Sequence, residues 1–144
     1  MPKTDIVVVI AEDDDIQREL LRAILELERL TVHEARNGVE ALEAISRFRP
    51  HLLITDNFMP AMDGYALIRA VRTLPGDDAN LPIVLLSAAD RDRRLLVEDP
   101  SGRSRYVQKP IDTDKFVGVL RTLIEADPGG DANPASGRTP DRTA

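Results

Sequence analysis

The sequence contains no cysteine, which excludes disulfides, thiolate metal sites and cysteine nucleophiles. No apolar run approaches the roughly 20 residues that a membrane-spanning helix needs. The start, Met1-Pro2-Lys3-Thr4-Asp5, lacks the basic stretch and apolar segment of a secretory signal. A surplus of positive charge is also missing: 19 basic against 25 acidic residues leave a net charge of −6. No long-range field therefore draws the chain to a nucleic-acid backbone or an anionic lipid surface. These absences lead us to expect a soluble cytoplasmic protein that binds neither nucleic acid nor membrane. What is present suffices for a core. At 144 residues and 42% hydrophobic content, the chain suits one ordinary domain and is not disordered throughout.

Composition divides the chain unevenly. Residues 127–144 read DPGGDANPASGRTPDRTA, without a large apolar residue, and are expected to be a disordered tail. Residues 1–126 are expected to be the folded domain. Ile6–Ala11 (IVVVIA) is a continuous β-branched run, the pattern of a strand buried on both faces. A helical pattern follows three aspartates, with Ile16, Leu20, Ala23, Ile24 and Leu27 expected to face inward. Thr31–Ala35 reads as a second strand, and Asn37 with Glu40 as the cap of a helix carrying Ala41, Leu42, Ile45 and Phe48 inward. Leu52–Thr55 is a third strand running into Asp56, and a third helix follows Asp63-Gly64 through Leu67, Ile68 and Val71. Pro82–Leu86 and Tyr106–Gln108 are the fourth and fifth strands. Asp112 caps a last helix with Phe116, Val119, Leu120, Leu123 and Ile124 inward. Such alternation predicts an α/β fold, a parallel sheet covered by helices on both faces.

In sheets of this kind chemistry gathers at the carboxyl ends of the strands. Strand one ends in Glu12-Asp13-Asp14-Asp15, strand three in Asp56, strand four in Ser87, and strand five runs into Lys109-Pro110. Clustered carboxylates raise one another's pKa unless a cation neutralises them, and an oxygen-only site suits Mg²⁺. With a lysine and a hydroxyl beside it, such a site is equipped to hold a phosphoryl group. Each element alone has a plainer reading. Asp14 and Asp15 suit a helix N-terminus, and a single Asp after a strand suits a turn. His33 and His51, without partners at metal spacing, read as structural or exposed.

Four separated motifs identify a resemblance. The acidic cluster at 12–15, the stretch Ile54–Arg72 (ITDNFMPAMDGYALIRAVR), Leu86-Ser87-Ala88 and Tyr106-Val107-Gln108-Lys109-Pro110 resemble, in order, a response-regulator receiver domain. The resemblance covers about residues 5 to 126. It implies a (βα)5, doubly wound, five-stranded parallel sheet with the flavodoxin-like strand order 2-1-3-4-5. It also implies that Asp56 accepts a phosphoryl group from a histidine kinase or histidine phosphotransfer protein. The implied cofactor is Mg²⁺, with Mn²⁺ as a substitute, held by Asp13, Asp56, the backbone carbonyl of Phe58, and Glu12 through a water. Ser87 and Lys109 would bind phosphoryl oxygens, Tyr106 would couple its rotamer to Ser87, and the Lys109–Pro110 peptide would be cis. The implied output is phosphorylation-dependent binding of a downstream target protein, or phosphorelay. The chain would be no enzyme beyond its own phosphorylation and slow dephosphorylation.

The chain departs from the family between strands four and five. Leu95-Leu96-Val97 are bunched, Pro100 intervenes, and Arg103 stands where a small residue usually packs. The fourth helix is therefore expected to be short or irregular. Phe58 and Ala89, two residues past Asp56 and Ser87, cannot orient a hydrolytic water by hydrogen bonding, so dephosphorylation is expected to be slow to moderate. The leading reading is a stand-alone receiver, and two alternatives accompany it. One is a receiver fragment of a larger regulator. The other is a haloacid-dehalogenase-like phosphatase using Asp13-x-Asp15, a short motif without the context it needs. A phosphorylation-independent docking module is disfavoured by the complete acid, hydroxyl and lysine set.

Overall fold

Five strands form the spine: β1 (Val7–Ala11), β2 (Thr31–Ala35), β3 (Leu52–Asp56), β4 (Ile83–Ser87) and β5 (Ser104–Gln108). The computed structural model describes residues 5–89, 94 and 101–125. All pairings among these strands are parallel, in the order β2-β1-β3-β4-β5, as the resemblance implies. Among the described residues four α-helices accompany them: α1 (Asp15–Leu27), α2 (Gly38–Phe48), α3 (Gly64–Arg72) and α4 (Thr113–Glu125). A 3₁₀ turn over Gly76–Asn80, not anticipated from the sequence, precedes β4.

The continuous apolar strands are buried on both faces because each face carries its own core. Val8, Ile10, Leu52, Ile54, Val84 and Leu86 pack with Leu21, Ile24 and Leu25 of α1 and with Phe116, Leu120 and Leu123 of α4. Their neighbours Val9, Leu53, Ile83 and Leu85 point to the other side, against Ala41 and Ile45 of α2 and Leu67, Ile68 and Val71 of α3. Alternate residues of one strand thus serve opposite layers.

Local chemistry sets the helix starts. Asp14 Oδ1 accepts from Gln17 N–H at 2.9 Å, Asn37 Oδ1 from Glu40 N–H at 2.8 Å, and Asp63 Oδ1 from Ala66 N–H at 2.8 Å. Each removes one unpaired amide from a first turn. Glu40 reaches back to Arg36 N–H at 2.8 Å, bracing the start of α2.

Two packing expectations are corrected. On α1, Ile16, Leu20 and Leu27 are 79%, 57% and 82% exposed, and Ala23 is exposed too. The inward face is Arg18, Leu21, Ile24 and Leu25. The helix carries two interleaved apolar rows, and the row that includes the arginine is the buried one. Arg18 tolerates burial because Glu34 Oε1 (2.8 Å from Nε), the Glu12 carbonyl (2.9 Å from Nη1) and Asp15 Oδ1 accept its donors. On α2, Phe48 is half-exposed, stacked on His33 with ring centroids 3.6 Å apart. His51 is structural, its Nδ1 accepting from Val7 N–H at 3.0 Å. The expected short or irregular fourth helix and the disordered tail lie outside the described residues. Arg103, next to that segment, is half-buried and sends its guanidinium to the Asn80 carbonyl at 3.1 Å. Among the described residues, no helix is long and apolar enough to cross a membrane.

Candidate functional site

Carboxylate oxygens of Glu12, Asp13 and Asp56 lie within 4.8 Å of one another at the carboxyl ends of β1 and β3. Asp13 is exposed at the mouth, whereas Glu12 and Asp56 are buried. Adjacent parallel strands at the middle of the sheet bring these residues together, with Ala11 paired to Thr55 one step before the acids begin. Hard oxygen donors with an exposed member fit a Mg²⁺-sized cation that keeps part of its water shell.

Lys109 reaches this cluster from the end of β5. Its Nζ lies 2.9 Å from Asp56 Oδ1, 3.3 Å from Glu12 Oε1 and 2.6 Å from Gln17 Oε1. The Lys109 N–H also donates to the Ser87 carbonyl at 2.9 Å, and the Lys109–Pro110 peptide is cis. Loss of solvent works against the ammonium, but the hydrogen bond and charge of Asp56, then those of Glu12, outweigh it and hold the Lys109 pKa above its ordinary value. Glu12 is raised, first by burial and then by the Asp56 charge, with the Asp14 N–H and Lys109 only partly offsetting them.

The end of β4 supplies a hydroxyl. Ser87 is fully buried, and its Oγ accepts from Ala89 N–H at 3.1 Å. The Tyr106 O–H on β5 is shared between the carbonyls of Ser87 (3.1 Å) and Ala89 (3.0 Å), which ties the Tyr106 ring to the backbone that leaves β4. Phe58 stands two residues beyond Asp56 with an exposed ring. Asp15 is engaged by Arg18 on α1 and Asp14 caps that helix, so neither joins the carboxylate set.

Three supporting residues were not anticipated from the sequence. Arg18 pins the Glu12 carbonyl, and Gln17 meets Lys109. Asn57 welds α3 to the end of β3: its carbonyl accepts from Gly64 N–H at 2.9 Å and its Oδ1 from Tyr65 N–H at 3.1 Å. Together with Asp63, it satisfies the first three amides of α3. A polar residue beside a motif carries no periodic signal, so only the folded geometry exposes these roles.

An open parallel sheet of this order, with three acids, a hydroxyl and a lysine at its carboxyl edge, defines a doubly wound α/β module whose candidate site lies along that edge. The family model "Response regulator receiver domain" matches residues 8–121, and the chain belongs to that family, the receiver module of two-component signalling. It is 36% identical over 117 residues to the response regulator MprA of Mycobacterium ulcerans, a match covering 81% of this chain and 49% of that protein. It is 38% identical over 121 residues to an uncharacterized 14.6 kDa protein of Leptolyngbya boryana, covering 84% of this chain and 92% of that one. The chain thus spans about half the length of the MprA protein and nearly all of the other. Among solved structures, the signal receiver domain of a histidine kinase from Syntrophus aciditrophicus superposes with a TM-score of 0.76 at 30% identity, over 92% of this chain and 97% of that one. The chemotaxis response regulator CheY4 of Vibrio cholerae superposes with a TM-score of 0.73 over 83% of this chain and 99% of that one. At 23% identity this is a likeness of fold.

Proposed function

We propose that the chain is a phosphoacceptor: the Asp56 carboxylate takes a phosphoryl group from a phosphohistidine on a histidine kinase or histidine phosphotransfer protein. The observation that carries this reading is the 2.9 Å contact of Lys109 Nζ with Asp56 Oδ1 beside the Glu12, Asp13 and Asp56 set. An ionised carboxylate needs no general base. One Asp56 oxygen bonds to phosphorus as the phosphorus–nitrogen bond breaks, and the departing imidazole takes up a proton from solvent. Asp13, Asp56 and the Phe58 carbonyl would hold Mg²⁺, or Mn²⁺ in its place, with Glu12 acting through a water. Bound there, the cation supplies positive charge against the phosphoryl oxygens.

Lys109 pairs with one phosphoryl oxygen, and the Ser87 hydroxyl turns from its own loop to donate to another. The product places a doubly charged group where a carboxylate oxygen stood, so Ser87, Lys109 and Tyr106 rearrange around it. A downstream target protein reads that change, or a second histidine takes the group onward in a phosphorelay. Neither Phe58 nor Ala89 has a side-chain donor or acceptor to orient water, so the phosphoryl group leaves slowly. The test is incubation with acetyl phosphate and Mg²⁺, followed by intact-mass measurement. One phosphoryl group per chain is expected, blocked by a chelator. No mass gain, either from acetyl phosphate or from a phosphorylated histidine phosphotransfer protein, overturns the reading.

A further inference from the structure

Lys109 has three N–H donors, and three residues from different elements accept them. Gln17 Oε1 lies at 2.6 Å, Asp56 Oδ1 at 2.9 Å and Glu12 Oε1 at 3.3 Å. Two of the acceptors are carboxylates that also belong to the set able to hold a cation. The third, and the nearest, is a neutral amide. Gln17 stands in the first turn of α1, where Asp14 Oδ1 takes its N–H at 2.9 Å. The cap fixes the backbone from which the side chain crosses to Lys109, 92 residues away in sequence.

An ammonium and a divalent cation compete for the same carboxylate oxygens. When Glu12 and Asp56 turn toward a cation, Lys109 loses much of what holds it, unless an acceptor remains that the cation does not claim. Gln17 is that acceptor, and being neutral it adds no fourth negative charge to three crowded acids. Resting on the phosphoacceptor reading, we propose that Gln17 is a positioning residue that holds the Lys109 ammonium at the mouth of the site, beside Asp56, while the carboxylates serve the cation. Without it, Lys109 satisfies its donors on Glu12 and Asp56 and opposes metal binding. It then starts from the wrong place when a phosphoryl oxygen arrives.

The test is calorimetric titration of the full chain with Mg²⁺ alone. Gln17→Leu is expected to weaken Mg²⁺ binding about three- to tenfold, and Gln17→Met, of similar length, to do the same. Gln17→Glu offers Lys109 a charged acceptor and adds negative charge, so it is expected to bind Mg²⁺ more tightly than the native chain. In a Lys109→Met background, Gln17→Leu is expected to change nothing. Labelling by acetyl phosphate at saturating Mg²⁺ is expected to slow in Gln17→Leu. Thermal midpoints without Mg²⁺ check that each variant is folded. Affinity within about twofold of native in both Gln17→Leu and Gln17→Met overturns the proposal, as does an equal loss in the Lys109→Met background. A native chain that binds Mg²⁺ but accepts phosphoryl from no donor defeats the phosphoacceptor reading instead, and the Mg²⁺ titrations still decide the role of Gln17.

Discussion

A side-chain carbon placed on Gly64 would collide with the backbone oxygen of Asp56. The same carbon would meet Asn57 Cα at 2.9 Å, so the obstacle is backbone and cannot rotate away. Gly64→Ala is therefore expected to cost about 3 kcal/mol in urea unfolding and to disturb Asp56 with it. Gly118, on the exposed side of α4, has nothing within 4 Å of a carbon added in the same way. Gly118→Ala is expected to stabilise by about 0.5–1 kcal/mol. Equal effects of the two substitutions would contradict this account.

Ala61 follows Pro60 with φ +70°, a left-handed conformation that a Cβ disfavours. Ala61→Gly should raise stability by about 1 kcal/mol, since glycine adopts this backbone without the clash. A raised midpoint in thermal unfolding checks it. Because Ala61 lies in the loop between Asp56 and α3, phosphoryl labelling should persist in the variant.

Glu34 joins β2 to α1 by accepting from Arg18 and Arg22. Partial burial works to raise its pKa, but the hydrogen bonds from Arg18 and then Arg22 outweigh it and leave it lowered. A carboxylate lowered by folding contributes stability that is present above its unfolded pKa, about 4.3, and is lost as pH falls through the folded value. Glu34→Gln should lose about 1–2 kcal/mol at neutral pH, with the gap to the native protein closing as the medium is acidified. Denaturant titrations of both proteins at several pH values measure that gap.

The two apolar rows of α1 make opposite predictions. Leu21→Ala and Leu25→Ala remove buried side chains and should each cost about 2–5 kcal/mol. Ile16→Ser, Leu20→Ser and Leu27→Ser, in the row the sequence pattern favours, should each stay within about 0.5 kcal/mol beyond the small helix-propensity term. The reverse ranking would mean that α1 packs by its other face.

Strands β1, β3 and β4 were legible because burial on both faces needs continuous apolar runs, whereas the edge strands β2 and β5 are only partly buried and carry polar residues. The helix starts were legible because Asp14, Asn37, Asp63 and Asp112 advertise their caps. The acids, Ser87 and Lys109 stand at strand ends, so a parallel sheet brought them to one edge with no further information. What stayed hidden depends on compensation across the fold. Arg18 disguises the inner row of α1, and its burial makes sense only once Glu34 and the Glu12 carbonyl are seen to meet it. Phe48 leaves the core for His33, a contact between distant segments. Gln17 and Asn57 act through single hydrogen bonds whose partners are set by three-dimensional packing.

Whether Asp56 is the phosphoryl acceptor, as proposed, is decided by mapping the label to a residue. The chain is labelled with acetyl phosphate and Mg²⁺, reduced with borohydride to convert an acyl phosphate into the corresponding alcohol, and digested for peptide mass analysis. Conversion is expected at Asp56 alone, dependent on Mg²⁺ and absent in Asp56→Asn. Label on another residue with Asp56 untouched, or undiminished labelling of Asp56→Asn, would contradict it.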